Sequence, residues 1–580
     1  MIPNIRGARY VWRLPSAEQR AYARSLGPIL NLSLPVVETL VNRGFTRSEE
    51  IESFLFMSQD DLLGHPSLLH DAERVIERIK TAIDSNEKIL IAGDYDVDGM
   101  TATAMMLAAL EPLGADVNFF LPHRIRDGYG ISERVVHRAA ASGYRLIITV
   151  DNGITGFKAG AAARACGIDL IITDHHRPLD NLPEAFAIVD PMHPACAYPF
   201  KELAGVGVAF KIIELLYEQY GYTLPGVTHE LLLLGTVADV VPLRKENRFF
   251  VRRGLRWIAE HESPALRVLK DNAKLTRPVS AMDIGFSLAP QLNALGRLED
   301  PRQAVKFLLG DDKEEIAMIG AKLFELNQAR KLVEKAVVED VRRDIADGKI
   351  DRDRDIAFIA ARSSWPPGVI GLAASRIVSE YGRPVFLFHE TQEGVLKGSC
   401  RSIPGLNIFN ALSSVKELLE HFGGHAAAAG LAVRRELLGE FKLRVDEYLR
   451  THLTSEDLTQ KISCDAELAL TDANAKLMRD LSHLEPCGSA NERPTFYVRR
   501  VQLVEEPRLL KEEHVRCMVF ADGVIKPVIF FGRPDLFEFF SAHRDGDFDL
   551  AVTVAENEWE GVRRIEFYGV DAALASWGEL

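Results

Sequence analysis

Between residues 88 and 190, four short β-rich runs (KILIAGD, RLIITVDNG, DLIITDHH and FAIVDP) alternate with Ala-rich helical segments such as TATAMMLAALEPLG and KAGAAARACG. Strand and helix in strict alternation leave few architectures open, because each strand must be paired through a crossover; the pattern predicts βαβ units around a parallel sheet. The runs are apolar along their length and turn polar only at their C-terminal ends, where open α/β sheets place ligands. The fold class expected is therefore α/β.

The rest of the chain is read against that centre. Residues 1–60 carry helical spacing in LPVVETLVNRGF and SEEIESFLF. Residues 61–310 hold the parallel sheet and the helices after it. From 311 to 345, Ile316, Ile319, Leu323, Leu326, Val333, Val337 and Val341 recur at helical spacing with no Pro, predicting one long helix that bridges two domains or lies as a plain surface helix. Residues 346–452 form a second α/β domain, with strands DIAFIAA, PVFLFHE and VLKGSCRS and the helix GVIGLAASRIVSEYG. Residues 453–580 alternate in short runs broken by Asp-Gly and Glu-Gly turns, a pattern expected of a small β-barrel. No apolar run is long enough for a membrane span. The N-terminal residues lack the apolar core of a signal peptide, so a cytoplasmic, soluble protein is expected.

The chemistry sits at the strand ends. GDYDVDG (93–99) puts Asp94, Asp96 and Asp98 at alternating positions, on one side of an extended segment. Close carboxylates repel unless a cation neutralises them. The spacing also opens an EF-hand loop, but that loop needs Glu where Met105 stands and is preceded by a helix, not a strand. An acidic turn without a ligand is the alternative for this motif alone. Asp151 ends the second run, Asp174, His175 and His176 the third, and Asp239 lies in the apolar LLLLGTVADVVP, where a helix cap is the other reading. The six cysteines are scattered without a CxxC pair, so a metal here is expected on oxygen and imidazole. That donor set suits Mn²⁺ or Mg²⁺, and so many carboxylates point to two ions activating water and stabilising an in-line displacement at phosphorus.

In this order and context, GDYDVDG, TVDNG, TDHH and GTVADVVP resemble the four motifs of the DHH phosphoesterases, and GGHAAAAG (423–430) resembles the signature of the DHHA1 domain that follows the catalytic domain in one branch of that family. PHRIRDGYG, LAGVGVAFK, APQLNALGRLEDP and LKGSCRSIPGLNI extend the resemblance to the branch that degrades single-stranded DNA from its 5′ end, whose C-terminal domain is of OB type. The resemblance implies metal ligands Asp94, Asp96, Asp151, His175 and Asp239, with Asp151 bridging two Mn²⁺ ions (Mg²⁺ as the substitute). It implies His176 and His425 at the scissile phosphate, and Asp98 either as a ligand through water or as a residue that orients the motif, the plainer reading of Asp98 being a cap of the following helix. Arg124, Arg297, Ser399 and Arg401 would line the path of the strand and its 5′-phosphate, since guanidinium pairs with phosphate through parallel hydrogen bonds.

The implied function is a metal-dependent, single-stranded-DNA-specific 5′→3′ exonuclease of DNA repair and recombination, served by a helicase or a single-strand-binding protein. A phosphodiesterase of short oligoribonucleotides or cyclic dinucleotides is the nearest rival, and a non-catalytic strand-binding scaffold the rival from another class. In the barrel, Phe496, Tyr497, Arg499 and Arg500, with Trp559, Arg563, Arg564 and Phe567, read either as a stacking surface for bases or as core. Two departures from the pattern stand out: Pro366 where a His is usual, and an eroded glycine turn in EPCGSANERPTF. The formal net charge of −14 excludes a globally basic nucleic-acid binder and requires a basic path confined to a cleft.

Overall fold

A computed structural model describes residues 4–56, 63–124, 126–559 and 562–575, with the side chains of 558–559 and 562–563 outside the description. The chain forms two compact units. One comprises Met57–Arg330 with Glu485–Glu492; the other comprises Met1–Phe56, Lys331–Leu484 and Arg493–Leu580. Among the described residues, no helix is long and apolar enough to cross a membrane.

The first unit is built on a five-stranded, all-parallel sheet in the spatial order Asp116–Phe120, Lys88–Ala92, Tyr144–Val150, Asp169–Thr173, Ala187–Val189. The apolar runs of the sequence are these strands. Their residues alternate between two cores: Ile89, Ile91, Leu146, Ile148 and Ile171 face one side, and Leu90, Ala92, Ile147, Leu170 and Ile172 the other. Both faces are therefore covered, as a parallel sheet requires. The first of these five strands along the chain, Lys88–Ala92, lies between the second and the third, so connections leave it in opposite directions. The carboxyl ends of Lys88–Ala92 and Tyr144–Val150 thus flank the topological switch point, the crevice in which such sheets bind ligands.

Helix Val97–Leu110 is apolar on all sides and buried on all sides, as its Ala- and Met-rich sequence demands. Its start is pressed against the strand end: a Cβ on Gly99 would lie 2.5 Å from the Asp94 backbone nitrogen, so only glycine fits. Helices Gly205–Tyr220 and Val227–Ala238 complete this layer. The long helix is Lys313–Ala346; Ile316, Ile319 and Leu323 join the core of the first unit, and Val337 and Val341 a core of the second.

The second unit contains the other two sheets foreseen. One has the order Leu419–Gly424, Ala428–Arg434, Val395–Arg401, Val385–Glu390, Phe358–Arg362, antiparallel except for its last pair. The other, residues 466–574, curls until Phe496–Leu503 pairs with His514–Ala521, closing a barrel.

The N-terminal segment differs from its helical reading in two ways. Two short strands, Asn4–Arg6 and Val11–Arg13, precede the helices, and the second pairs in parallel with Lys461–Ser463. Helices Leu34–Asn42 and Ser48–Phe56 share one apolar core with the barrel. Short strands paired across more than four hundred residues leave no local pattern.

Trp12 is fully buried and its indole N–H donates to Asp571 Oδ2 at 2.9 Å; the same carboxylate accepts from the backbone of Tyr10 and from Arg533. Trp12→Ala is expected to cost about 3–5 kcal/mol. Urea denaturation followed by barrel fluorescence should show a lowered midpoint, and an unchanged one would refute this anchoring.

Candidate metal centre

Each acidic residue reaches the crevice by a different local device. Asp94 follows strand Lys88–Ala92 and is 2% exposed. Asp96 is the N-cap of helix Val97–Leu110, its Oδ1 accepting from Gly99 N–H at 3.1 Å. The cap of this helix is thus Asp96 and not Asp98. Asp98 instead crosses to another helix, where its carboxylate accepts from the backbone N–H groups of Gly205 (2.6 Å) and Val206 (2.8 Å) at the start of Gly205–Tyr220. That start is a ready anion site.

Asp151 follows strand Tyr144–Val150 with φ 61°, a left-handed conformation unusual outside glycine. The helix beneath it begins with Gly205, where a Cβ would sit 2.5 Å from that of Asp151. Asp239 is the C-cap of Val227–Ala238, and the next residue, β-branched Val240, also has φ 61°. A carboxylate at a helix C-terminus faces the negative end of the dipole, so nothing in the helix itself stabilises Asp239. Strained backbone in two of the contributing segments marks a geometry held for function.

Asp174, fully buried, organises the histidines. Its Oδ1 accepts from the backbone of His175 and His176 and from His176 Nδ1 at 2.7 Å, while Oδ2 accepts from Ile154 N–H. This bond fixes the His176 ring and turns its Nε2 toward other partners. His175 Nε2 lies 3.2 Å from Asp151 Oδ1, 3.7 Å from Asp239 Oδ2 and 3.9 Å from Asp98 Oδ2.

Among the described residues, three groupings able to hold a cation result: Asp94, Asp96 and Asp151; Asp151, His175 and His176; Asp98, His175 and Asp239. Asp151 belongs to two of them, as does His175. The fit of a metal is tested by the buried atoms left without hydrogen-bond partners: Asp94 Oδ1, Asp151 Oδ1 and His175 Nε2. All three are metal-donor atoms converging on one place. Left unsatisfied, each would cost about 1–3 kcal/mol.

Electrostatics agree. Burial first, and then the neighbouring carboxylates, push Asp94, Asp151 and Asp239 well above the usual carboxylate range, and Asp98 up to about 7. Burial pulls His175 down to about 4, keeping its imidazole neutral. His176 moves the other way: against the cost of burial, the Asp174 carboxylate raises it to about 9. Asp174 is held below its ordinary value by the same pairing, despite complete burial.

Arg124 and Arg297 line the same cleft, of about 310 Å³. Arg124 is held over the ring of Tyr95 at 5.1 Å. Tyr129 and Asn293, which line the cleft, and Asn152, buried behind it, escaped the sequence reading. Tyr129 stands between Gly128 and Gly130, both with positive φ, and its hydroxyl lies 3.3 Å from His176 Nδ1 and from the Asp151 carbonyl. Asn152 ties the strand ends together, donating to the Ala92 and Val150 carbonyls and accepting from Ile131 N–H. Asn293 accepts from Val97 N–H. The GYG and DNG triplets were the available signals.

The remaining candidates lie in the second unit. Arg401 donates to Ser399 Oγ and to Ser375 Oγ, both at 3.0 Å. It is registered opposite Ala428, whose carbonyl accepts from His425 N–H at 2.8 Å, so Ser399, Arg401 and His425 share one end of a sheet. Pro366 opens the turn before helix Ile370–Tyr381. The eroded glycine turn is part of a segment docked on the first unit, where the Pro486 carbonyl accepts from Arg248 and Asn491.

In the barrel, Phe496, Tyr497 and Phe567 are buried, which corrects the stacking reading for them: they are core. Arg499, Arg500 and Arg564 are exposed, and Arg499, Arg500, Gln502 and Phe520 line a recess of about 560 Å³. Trp559 and Arg563 have side chains outside the described residues.

Fold and site define a protein of the DHH class. The DHH family N-terminal domain matches residues 88–236, the DHHA1 domain 355–451 and the RecJ OB domain 464–571. The single-stranded-DNA-specific exonuclease RecJ of Bacillus subtilis is 33% identical over 98% of this chain and 71% of its own length. That of Dickeya dadantii is 35% identical over 92% and 95%. The crystal structure of RecJ in complex with Mn²⁺ from Thermus thermophilus superposes with a TM-score of 0.81 at 28% identity, covering 97% of this chain and 79% of that one; a complex with Mg²⁺ gives 0.75. The chain belongs to the RecJ family.

Because the carboxyl groups of Asp94, Asp98, Asp151 and Asp239 are raised in the fold, their stabilising contribution is complete below the unfolded value near 4 and is lost as pH rises through the raised values. His175, between about 4 and its ordinary value, and Asp174, with its lowered value, run the opposite way. A divalent cation competes with those protons, so its benefit grows with pH. The rise in melting temperature on adding Mn²⁺ to chelator-treated protein should be larger at about pH 8 than at about pH 5. An equal rise at both would disprove the linkage.

Proposed function

We propose that this protein is a metal-dependent exonuclease specific for single-stranded DNA, acting 5′→3′ and releasing 5′-mononucleotides in repair and recombination. It would work in the cytoplasm on strands supplied by a helicase or a single-strand-binding protein. The observation that carries the reading is the convergence of Asp94 Oδ1, Asp151 Oδ1 and His175 Nε2, buried and without hydrogen-bond partners, at the switch-point crevice. The relatives matched over nearly the whole chain support its substrate class.

Asp94, Asp96, Asp151, His175 and Asp239 would hold two Mn²⁺ or Mg²⁺ ions, with Asp151 shared between them. Bound there, the cations supply charge neutralisation and Lewis-acid polarisation of the phosphate. His176, fixed by Asp174 and carrying a raised pKa, presents a protonated Nε2 to a phosphate oxygen. Asp98 keeps the start of Gly205–Tyr220 against the cluster, with Gly205 packed against Asp151. Arg124 and Arg297 pair with backbone phosphates along the cleft. Ser399 and Arg401 take the terminal 5′-phosphate, which sets the polarity, and His425 assists at the scissile phosphate. The barrel, with its exposed arginines, favours a long strand over a dinucleotide.

With Mn²⁺ and end-labelled single-stranded DNA, duplex DNA and short RNA, the protein should degrade the single strand; preference for short RNA would overturn the reading. Asp151→Ala should abolish digestion while the protein stays folded, and His176→Ala should lower the rate by about 10²–10⁴-fold. Arg401→Ala should erode the preference for a 5′-phosphorylated over a 5′-hydroxyl end more than it slows turnover at saturation. Equal use of both ends by the unaltered protein would remove that role.

A further inference from the structure

The helical segment 281–298 carries an exposed stripe whose two halves differ in chemistry. It runs as a turn of α-helix, a π-helical stretch Ile284–Leu288, and helix Ala289–Leu298. Along it Met282, Phe286, Pro290, Asn293 and Arg297 recur every three or four residues and reach solvent, while most residues between them are buried. Asn293 and Arg297, at one end, line the cleft beside the carboxylates. Met282 and Phe286, at the other, are apolar.

Phe286 is 73% exposed, an uncommon state for a phenylalanine, with Met282 (39%) one turn away. Scattered apolar side chains on a surface need no explanation. This pair lies on the face that enters the cleft, Phe286 about 10 Å and Met282 about 16 Å along the axis from Asn293 at 1.5 Å per residue. The π stretch rotates the phase of the helix where Phe286 projects, and such stretches concentrate at functional sites. Gly285, beside Phe286, lies next to the helix that ends in Asp239: a Cβ there would be 3.7 Å from Val237 Cγ1.

We propose that Phe286, with Met282 beside it, is a base-stacking ledge at the mouth of the cleft: a nucleobase of the bound strand lies on the Phe286 ring while Asn293 and Arg297 meet the sugar-phosphate backbone nearer the metal cluster. This deepens, and rests on, the single-stranded-DNA reading. The polar end of the stripe suits phosphates and the apolar end suits bases, so the two halves match the two chemistries of one strand. Stacking on an aromatic ring is sequence-tolerant because every base offers a π face. A base paired in a duplex does not present that face, so the ledge also selects against double strands.

The experiment measures binding of a 5′-phosphorylated single-stranded oligonucleotide by fluorescence anisotropy in chelator, with degradation in Mn²⁺ alongside. F286A should weaken binding by roughly 10-fold, F286W should restore it, and the melting temperature should not move, because so little of the ring is packed. A wholly abasic oligonucleotide should bind the parent protein and F286A equally. Parental affinity of F286A for the base-bearing strand, or an equal loss on the abasic one, overturns the ledge. A parent protein that neither binds nor degrades the strand overturns the reading beneath it instead.

Discussion

Five carboxylates in one crevice, Asp94, Asp96, Asp98, Asp151 and Asp239, repel one another, and much of the local architecture serves to hold them there. Asp94 and Asp151 are aimed by adjacent parallel strands, Asp98 is clamped by the N–H groups of Gly205 and Val206, and Asp239 is placed at the wrong end of a helix dipole. Gly99 and Gly205 exist as glycine because the backbone must close to within contact of these same residues. Hydrogen bonding within the fold leaves the cluster incompletely neutralised, since Asp94, Asp151 and His175 keep buried polar atoms unsatisfied. The structure is organised around a cation, and the surrounding elements are arranged so that collapse without one is incomplete.

The sheet and most of the cluster were readable because both signals are local. Apolar runs ending in Asp become strands ending in candidate ligands whenever the sheet is parallel, which picks out Asp94 and Asp151; Asp96 and Asp239, at helix ends, follow from the family resemblance, and all four lie in groupings that could hold a metal. What escaped depends on distant partners. The role of Asp98 requires Gly205, more than a hundred residues on. Tyr129 is brought over the histidines by the positive φ of two flanking glycines, which no periodicity reports. Phe496, Tyr497 and Phe567 read as a possible stacking surface, yet a strand's alternation does not say which face is inside until the barrel closes. The pairing of Val11–Arg13 with Lys461–Ser463 has no sequence signal at all.

The net charge of −14 acquires a location. Asp94, Asp96, Asp98, Asp151, Asp174 and Asp239 belong to the cluster and its support, while Arg124 and Arg297 face the same cleft. A strand entering would meet positive guanidinium groups on the wall and a floor whose acidity is cancelled only when metal is bound. Bound metal thus strengthens the hold on a polyanion at the floor, while the guanidinium wall offers positive charge with or without it.

The core that the N-terminal helices share with the barrel joins segments more than four hundred residues apart. Val36, Val37 and Leu40 belong to one apolar cluster with Phe496, Val498 and Phe548, so neither segment completes its apolar interior alone. A chain cut at the start of the barrel would leave these helices with their apolar faces in water, and a chain lacking the helices would open the barrel's flank. The two segments, separated by the whole catalytic region, are therefore kept or lost together. During synthesis the helices must wait for the barrel, which completes its core only with residues that left the ribosome long before it.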